Sequence, residues 1–538
     1  MDVVRRNFVK LVAGSFAGSA TTTVAAQVAL ANPGSAMPAA GLNSFHDVRV
    51  YGAKGDGKTI DSPAINRAID AAAAAGGGTV WLRAGIYASY SIRLKSNISL
   101  YLDQGAILLA ADTSLEGTTS GYDPAESNEP WESYQDFGHN HWHNSLIWGE
   151  NLNNISILGP GRIWGRGLSR GLSEKTRPHA TTPGTGNKAI ALKHCYNVVL
   201  RDISILEGGH FAILATGVDN LTIDNLKIDT NRDGMDIDCC RNVRISNCTV
   251  NSPWDDGICP KSSFALGYPR ATENVTITNC YVTGIYQLGT LLDGTFKRWG
   301  PDFKVVPTGR IKCGTESNGG FKNITISNCV FESCRGFALE TVDGAVLEDI
   351  TFVGVTMRDI RNSPLFLRLG TRMRGPRGAA VGTLKRVMIS NVTSYGAVAE
   401  LPSILSGIPG HSIEDIKIND VYLHQVGGGT REMAELQPEE KADAYPEPRM
   451  FGTLPTSGFF IRHVNNLELG NVEIVTEKPD MRPGFWLEDV RRADFFRVKA
   501  NKAPGTDLFN LKNVKDFRVF GSRMVKDTQL ESVDQKQI

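Results

Sequence analysis

Short apolar–polar alternations recur along this chain at nearly regular spacing. From about residue 97, an Asn or Asp is followed by apolar–any–apolar, as in Asn197-Val198-Val199-Leu200, Asn220-Leu221-Thr222-Ile223 and Asn242-Val243-Arg244-Ile245. The signature returns at Asn274, Asn323 and Asp349, and later copies start near Arg386, Asp415, Asn466 and Asp516. The first intervals are 23 and 22 residues, and others stretch to 32 or 49, which places insertions at one corner of a repeating unit. Alternation of period two marks a short strand with one buried face.

A period in the low twenties fits a leucine-rich repeat or a β-solenoid. The apolar positions here mix Val, Ile, Leu and Phe without a fixed Leu frame, and Gly and Asn mark the corners. Each coil is therefore read as three short strands, stacked on the next at the ordinary interstrand spacing of roughly 4.8 Å. Stacking satisfies the backbone and joins the apolar faces into one core. An open solenoid end needs a cover. Asp61-Ser62-Pro63 opens a helical run from Ala64 to Ala75, and Gly76-Gly77-Gly78 stops it, a start and stop that predict a cap helix. The predicted fold is all-β, a right-handed parallel β-helix with an N-terminal cap helix.

Charge and cysteine content narrow the setting. Basic and acidic residues number 57 each, so the formal net charge is zero, which argues against nucleic acid or a membrane surface as partner. A monomer is expected. Arg5-Arg6, then Asn7-Phe8-Val9-Lys10, a weakly apolar stretch and Ala29-Leu30-Ala31 resemble a bacterial twin-arginine export signal. Residues 1–31 are thus expected to be a signal peptide and 32–538 a single domain, in a periplasmic or secreted protein. Nine cysteines in an exported chain invite a disulfide reading. Cys248, Cys280 and Cys329, however, each follow an Asn inside the repeat, which predicts small core side chains stacked coil on coil.

Candidate chemistry sits on two neighbouring coils. One reads Asn231-Arg232-Asp233-Gly234-Met235-Asp236, the next Trp254-Asp255-Asp256-Gly257-Ile258. Aligning the Asp-Gly steps sets Asp233 against Asp256 one coil away, with Asp255 beside it. Three carboxyls on one patch cannot all ionise freely, so one pKa should rise. A raised carboxyl can protonate a leaving glycosidic oxygen while an ionised partner activates water. Acidic turn residues or a calcium site are the alternatives. Residues 112–145 lack the repeat and carry Trp131, Tyr134, Trp142 and the alternating His139, His141 and His143. They are read as a surface loop near a sugar site rather than as a metal site. No cofactor or metal is expected.

The chain resembles glycoside hydrolase family 28, the polygalacturonases, over roughly residues 45–360. Val50-Tyr51-Gly52-Ala53-Lys54-Gly55-Asp56-Gly57 is similar to the entry strand of pectin-acting β-helices. Asn231-Arg232-Asp233 and Asp255-Asp256 resemble the family's Asn-Thr-Asp and, about a coil later, Asp-Asp. The resemblance implies that Asp255 is the general acid and that Asp233 and Asp256 hold the water. Two other family motifs are altered. Thr308 stands where Gly-His-Gly places its His, and Ala338 and Glu340 stand where Arg-Ile-Lys places its Arg and Lys. A literal Arg310-Ile311-Lys312 occurs earlier, with Lys312 expected one coil before Ala338 in the same column. The candidate substrate contacts are Asn231, His210, Lys261, Arg310, Lys312 and Glu340. The family binds galacturonate carboxylates through its Arg and Lys, so an acid at position 340 should repel a uronate unless Lys261 pairs with it. The insertion around 286–307, with Asp293, Phe296 and Trp299, is expected to wall off one end of the cleft, in keeping with exo action or a branched substrate.

The function implied is an inverting hydrolase of pectic, uronate-containing polysaccharide. A calcium-dependent polysaccharide lyase on the same solenoid and a non-catalytic glycan-binding solenoid are the competing readings.

Overall fold

A computed structural model of the protein describes residues 45–113, 121–170, 178–286, 291–300, 307–501 and 503–538. The export signal expected at residues 1–31 lies outside them. The unit spanning Asn43–Ile538 is the predicted parallel β-helix, and its strands stack in three columns. One column climbs through Tyr196–Arg201, Asp219–Asp224, Arg241–Ser246 and Thr272–Thr278, in register at Val198, Leu221, Val243 and Val275. A second climbs through Ser204–Leu206, Lys227–Asp229, Thr249–Asn251 and Tyr281–Thr283. The third is built from Ile147–Glu150, Lys188–Lys193, Phe211–Thr216, Asp233–Asp238 and Ile258–Lys261. It continues through the Ile258–Ile311 bridge to Lys312–Cys313, Phe337–Thr341 and Leu365–Leu369.

The Asn and Asp of the repeat are corner residues. All ten positions named from the sequence, from Asn197 to Asp516, have φ between 53° and 62°. Asn and Asp tolerate this left-handed turn better than other non-glycine residues. The exposed amides also bond to one another along the stack: Asn220 Nδ2 donates to Asn197 Oδ1 at 3.0 Å, and Asn197 Nδ2 to Asn154 Oδ1 at 2.8 Å. Inside, Val, Ile, Leu and Phe from all coils form one continuous core. All nine cysteines are buried thiols, and Cys248, Cys280 and Cys329 sit in that core as the repeat predicted.

Both ends are covered. The helix Ser62–Ala74 buries Ile65, Ala68, Ile69 and Ala72 against the first coils. Asp61 before it does not cap the helix but accepts from the backbone N–H groups of Lys54 and Gly55, at 2.7 and 2.9 Å. At the other end Thr528–Gln537 lies antiparallel on Phe509–Phe520, so the last parallel edge is paired rather than open. Among the described residues no helix is long and apolar enough to cross a membrane.

Candidate active site

The third column carries the carboxylates. Asp233 opens the strand Asp233–Asp238, and Asp255-Asp256 form the turn that enters Ile258–Lys261. Gly234 N–H donates to the Asp256 carbonyl at 2.9 Å and Met235 N–H to that of Gly257 at 3.0 Å, so the two Asp-Gly steps are locked in register. The glycine is required there: a Cβ on Gly234 would stand 2.3 Å from the Gly257 carbonyl oxygen. One oxygen from each of Asp233, Asp255 and Asp256 lies within 4.8 Å of the other two. The alignment drawn from the sequence thus places three carboxyls together.

Their surroundings differ. Asp256 is buried, with Arg310 Nε 2.9 Å from Oδ1 and Lys312 Nζ on Oδ2. Burial alone would raise its pKa; Lys312 and Arg310 override that and hold it far below the usual carboxylate range. Asp255 is part-exposed and accepts from Arg232 at 3.0 Å. Asp233 is buried, and its Oδ1 has no hydrogen-bond partner. Burial, then Asp255 and Asp236, push its pKa well up. The raised carboxyl that like-charge crowding requires is therefore Asp233, because it alone of the three is buried without a cation bonded to it.

The remaining residues expected to bind substrate fall in three groups. Arg310 and Lys312 reach Asp256, and Lys312 pairs in register with Ala338 as the column argument required. Glu340 is buried behind them, 3.7 Å from Arg310; burial outweighs both cations and lifts its pKa to about 7. The expected Lys261–Glu340 pair is not formed. Lys261 Nζ instead sits 3.3 Å from Asp236 and 3.1 Å from Glu316. The reason is register: Lys261 pairs with Asp238 on one side, and Ser262 bridges to Ser317 on the other, so its nearest carboxylates are one coil away on either side, and Glu340 is two coils off. Asn231 spends its side-chain oxygen on the Arg232 N–H at 3.1 Å. His210 is buried, stacked on Phe211 at 4.2 Å, with neither ring nitrogen partnered. Burial, with Arg232, His139, Lys188 and Lys261 nearby, keeps it neutral.

Sequence reading missed Arg232, Asp236, Glu316 and His139. Arg232 had a signal, since it stands where the family motif has Thr. Asp236 and Glu316 are far apart in sequence and meet only through Lys261. His139 Nε2 lies 3.2 Å from Asp236 Oδ2, which corrects the reading of 112–145 as a surface loop: His139, His141 and Trp142 are all buried. The three histidines go to separate surroundings. His141 stacks on Phe137 at 4.0 Å, and His143 meets Glu150 at 3.0 Å.

The floor of the column is covered on both sides of the carboxylates. Before them, Trp142 packs with Ala191, Phe211, Leu214 and Ala265, and its Nε1 donates to Thr216 at 3.0 Å. After them, Phe451 and Leu454, from the segment before Phe459, pack on Ala338, Phe366 and Ile404. Trp254 remains exposed next to Asp255 and meets Trp299 of the 286–307 insertion edge to face at 6.0 Å. Asp255 is thus the carboxylate of the three that reaches the surface, beside this aromatic pair.

Residues 45–252 match a family model described as rhamnogalacturonase A/epimerase, pectate lyase-like, and residues 179–361 one described as right-handed β-helix region. A probable polygalacturonase from Vitis vinifera is 23% identical over 439 residues, covering 76% of this chain and 80% of that protein. These likenesses make the chain polygalacturonase-like and a glycosidase. Two solved structures share the fold of this family 28-like chain. The family 28 exopolygalacturonase from Yersinia enterocolitica has a TM-score of 0.61 at 18% identity, over 89% of this chain and 78% of that one. The exopolygalacturonase from Thermotoga maritima has a TM-score of 0.58 at 16% identity, over 92% and 95%. Against the family's motifs, the divergence lies in Arg232, in the basic pair Arg310/Lys312, and in Glu340.

Proposed function

We propose that the protein is an inverting, exo-acting hydrolase that removes sugar from the end of uronate-containing pectic polysaccharide. The observation that carries this reading is the group of three carboxylates, Asp233, Asp255 and Asp256, within 4.8 Å of one another. Asp233, pushed toward its protonated form by burial and by the neighbouring Asp255 and Asp236, is the proton source, and Asp255 lies beside it. Asp255 is the part-exposed member and reaches the surface, so it passes the proton to the leaving glycosidic oxygen. Asp233, left ionised, takes the proton of the attacking water as its oxygen bonds to the anomeric carbon, and Asp256 helps to orient that water. The nearest oxygens are closer than the ~6.5–9.5 Å of a simple two-carboxylate inverting pair. Inversion is supported instead by the third carboxylate, which gives water two acceptors, and by the family likeness. Exo action is supported by the aromatic and aliphatic side chains packed along the column, Trp142 on one set of strands and Phe451 and Leu454 on another.

Homogalacturonan and rhamnogalacturonan are the candidate substrates, met in the periplasm or outside the cell. Export rests on Arg5-Arg6, and retention of an Arg5→Lys, Arg6→Lys precursor in the cytoplasm is its test. The function is tested by proton NMR of the first products from a panel of pectic oligosaccharides, with a chelator present. Saturated sugar released from one end with inverted anomeric configuration supports the reading. Unsaturated, ultraviolet-absorbing product that needs calcium would make the protein a lyase.

A further inference from the structure

Lys188 is a buried amine with no ion pair among the described residues, Glu126 acting on it only from a distance. It lies on the third column, in register with Phe211 and, one coil further, with Asp233. Two coils separate it from the carboxylates, roughly 10 Å at ordinary strand spacing. Its side chain is wholly buried. The ammonium donates to Asn187 Oδ1, and among the described residues no carboxylate lies within ion-pair distance of it. Burying a charge in this way is costly unless something compensates it.

The groups beside it are equally unsatisfied. Asn144, Asn187 and His210 stand at the entry to three successive strands: Asn187 N–H donates to the Asn144 carbonyl at 2.9 Å, and His210 N–H to that of Asn187 at 2.8 Å. All three are buried. The side-chain nitrogen of Asn187, both polar atoms of Asn144 and both ring nitrogens of His210 have no hydrogen-bond partner. Natural proteins rarely leave such groups unpaired, and here three adjacent residues beside Lys188 do so together. The segment above them is pressed close: a Cβ on Gly138 would meet Phe211 at 2.6 Å and His210 Nδ1 at 2.9 Å. Trp142 packs alongside on Ala191, Phe211 and Leu214. Lys188, Asn187, Asn144 and His210 therefore form a buried polar group on the third column, one to three coils before Asp233.

We propose that Lys188, with Asn187, Asn144 and His210, forms an anion subsite that takes the carboxylate of the terminal uronosyl residue. This rests on the glycosidase reading above and adds how the site selects a uronic acid at a chain end. A uronate supplies the missing negative charge to Lys188, and its oxygens and ring hydroxyls pair with the amides and the imidazole. An uncharged sugar would leave the ammonium uncompensated. Burial lowers the Lys188 pKa to about 7 in the free protein, so binding a carboxylate above pH 7 should take up a proton.

The test is calorimetric binding of galacturonate, its methyl ester and galactose to the wild type and to Lys188→Met. The wild type is expected to bind galacturonate at least about 10-fold more tightly than either uncharged sugar, as a charge-assisted contact requires. Lys188→Met should lose that preference to within about 2-fold. Equal binding of acid and ester by the wild type, or a preference that survives in Lys188→Met, overturns the proposal. If Lys188→Met does not fold, the acid–ester comparison on the wild type and on Asn187→Ala still decides. A wild type that cleaves pectic oligosaccharides but ignores the carboxylate sinks the subsite alone. A wild type that neither binds nor cleaves any uronate oligosaccharide sinks the glycosidase reading with it.

Discussion

Arg310 Nε lies 2.9 Å from Asp256 Oδ1, both side chains are buried, and Lys312 holds the second carboxylate oxygen. One acid of the three is thereby kept ionised while its neighbour Asp233 is pushed toward protonation. A division of labour between like groups thus arises from which of them the next coil's cations reach.

Lys312→Met leaves Asp256 buried with half its countercharge. Breaking a buried pair from one side costs about 3–5 kcal/mol. The wild-type contribution of Asp256 is present above its unfolded pKa near 3.8 and is lost only as pH falls through its depressed folded value. The deficit of Lys312→Met should therefore be largest at neutral pH and shrink in acid, where the variant's Asp256 takes up a proton. Urea unfolding at pH 7 and pH 4 measures both.

Arg232→Met should act on the acid itself. Arg232 bonds Asp255 at 3.0 Å, and an adjacent cation favours the charged form of a carboxylate. Arg232 also opposes the rise of the Asp233 pKa. Without it that pKa should climb further, and the basic limb of the kcat/KM profile should move upward. An unmoved limb would place Arg232 outside the proton pathway.

Glu340 was expected to repel a uronate. Buried with a pKa of about 7, it is largely neutral at the acidic pH where three clustered carboxyls work best. Its raised pKa makes folding progressively less favourable as pH climbs from about 4.5 to 7, by roughly 3 kcal/mol in all. Glu340→Gln should flatten that part of the stability–pH curve and leave polygalacturonate turnover at pH 5 within about 2-fold. Glu340→Lys puts a third buried cation beside Arg310 and Lys312, so a lower Tm is expected rather than faster turnover. Thermal unfolding from pH 4.5 to 8 separates these outcomes.

The corner amides can be tested apart from the site. Asn220 has φ 55° and bonds Asn197. Asn220→Ala loses the bond and keeps the strain, about 1–2 kcal/mol together. Asn220→Gly loses only the bond, so it should be the more stable variant in denaturant unfolding.

What could be read from the sequence was what repeats. The Asn before each alternation is legible because the left-handed corner admits few residues. The Asp233–Asp256 alignment is legible because Gly234 and Gly257 must touch. Partnerships made through insertions were not. The alternation at His139, His141 and His143 looks like an exposed edge, yet a turn at Phe137–Asn140 tucks His139 against Asp236 from about a hundred residues away. The Lys261–Glu340 pairing failed for a similar reason: Glu316 arrives from the next coil and reaches Lys261 first.

The most direct measurement is steady-state turnover by Asp255→Asn on a saturated pectic oligosaccharide that the wild type cleaves. The substitution keeps the shape and removes the transferable proton. The account predicts a fall in kcat on the order of 10²-fold or more, with KM little changed because the loss lies in the transition state. Folding, read by circular dichroism, should be intact. Near-normal kcat in a folded Asp255→Asn protein would contradict the mechanism, since the proton would then come from elsewhere.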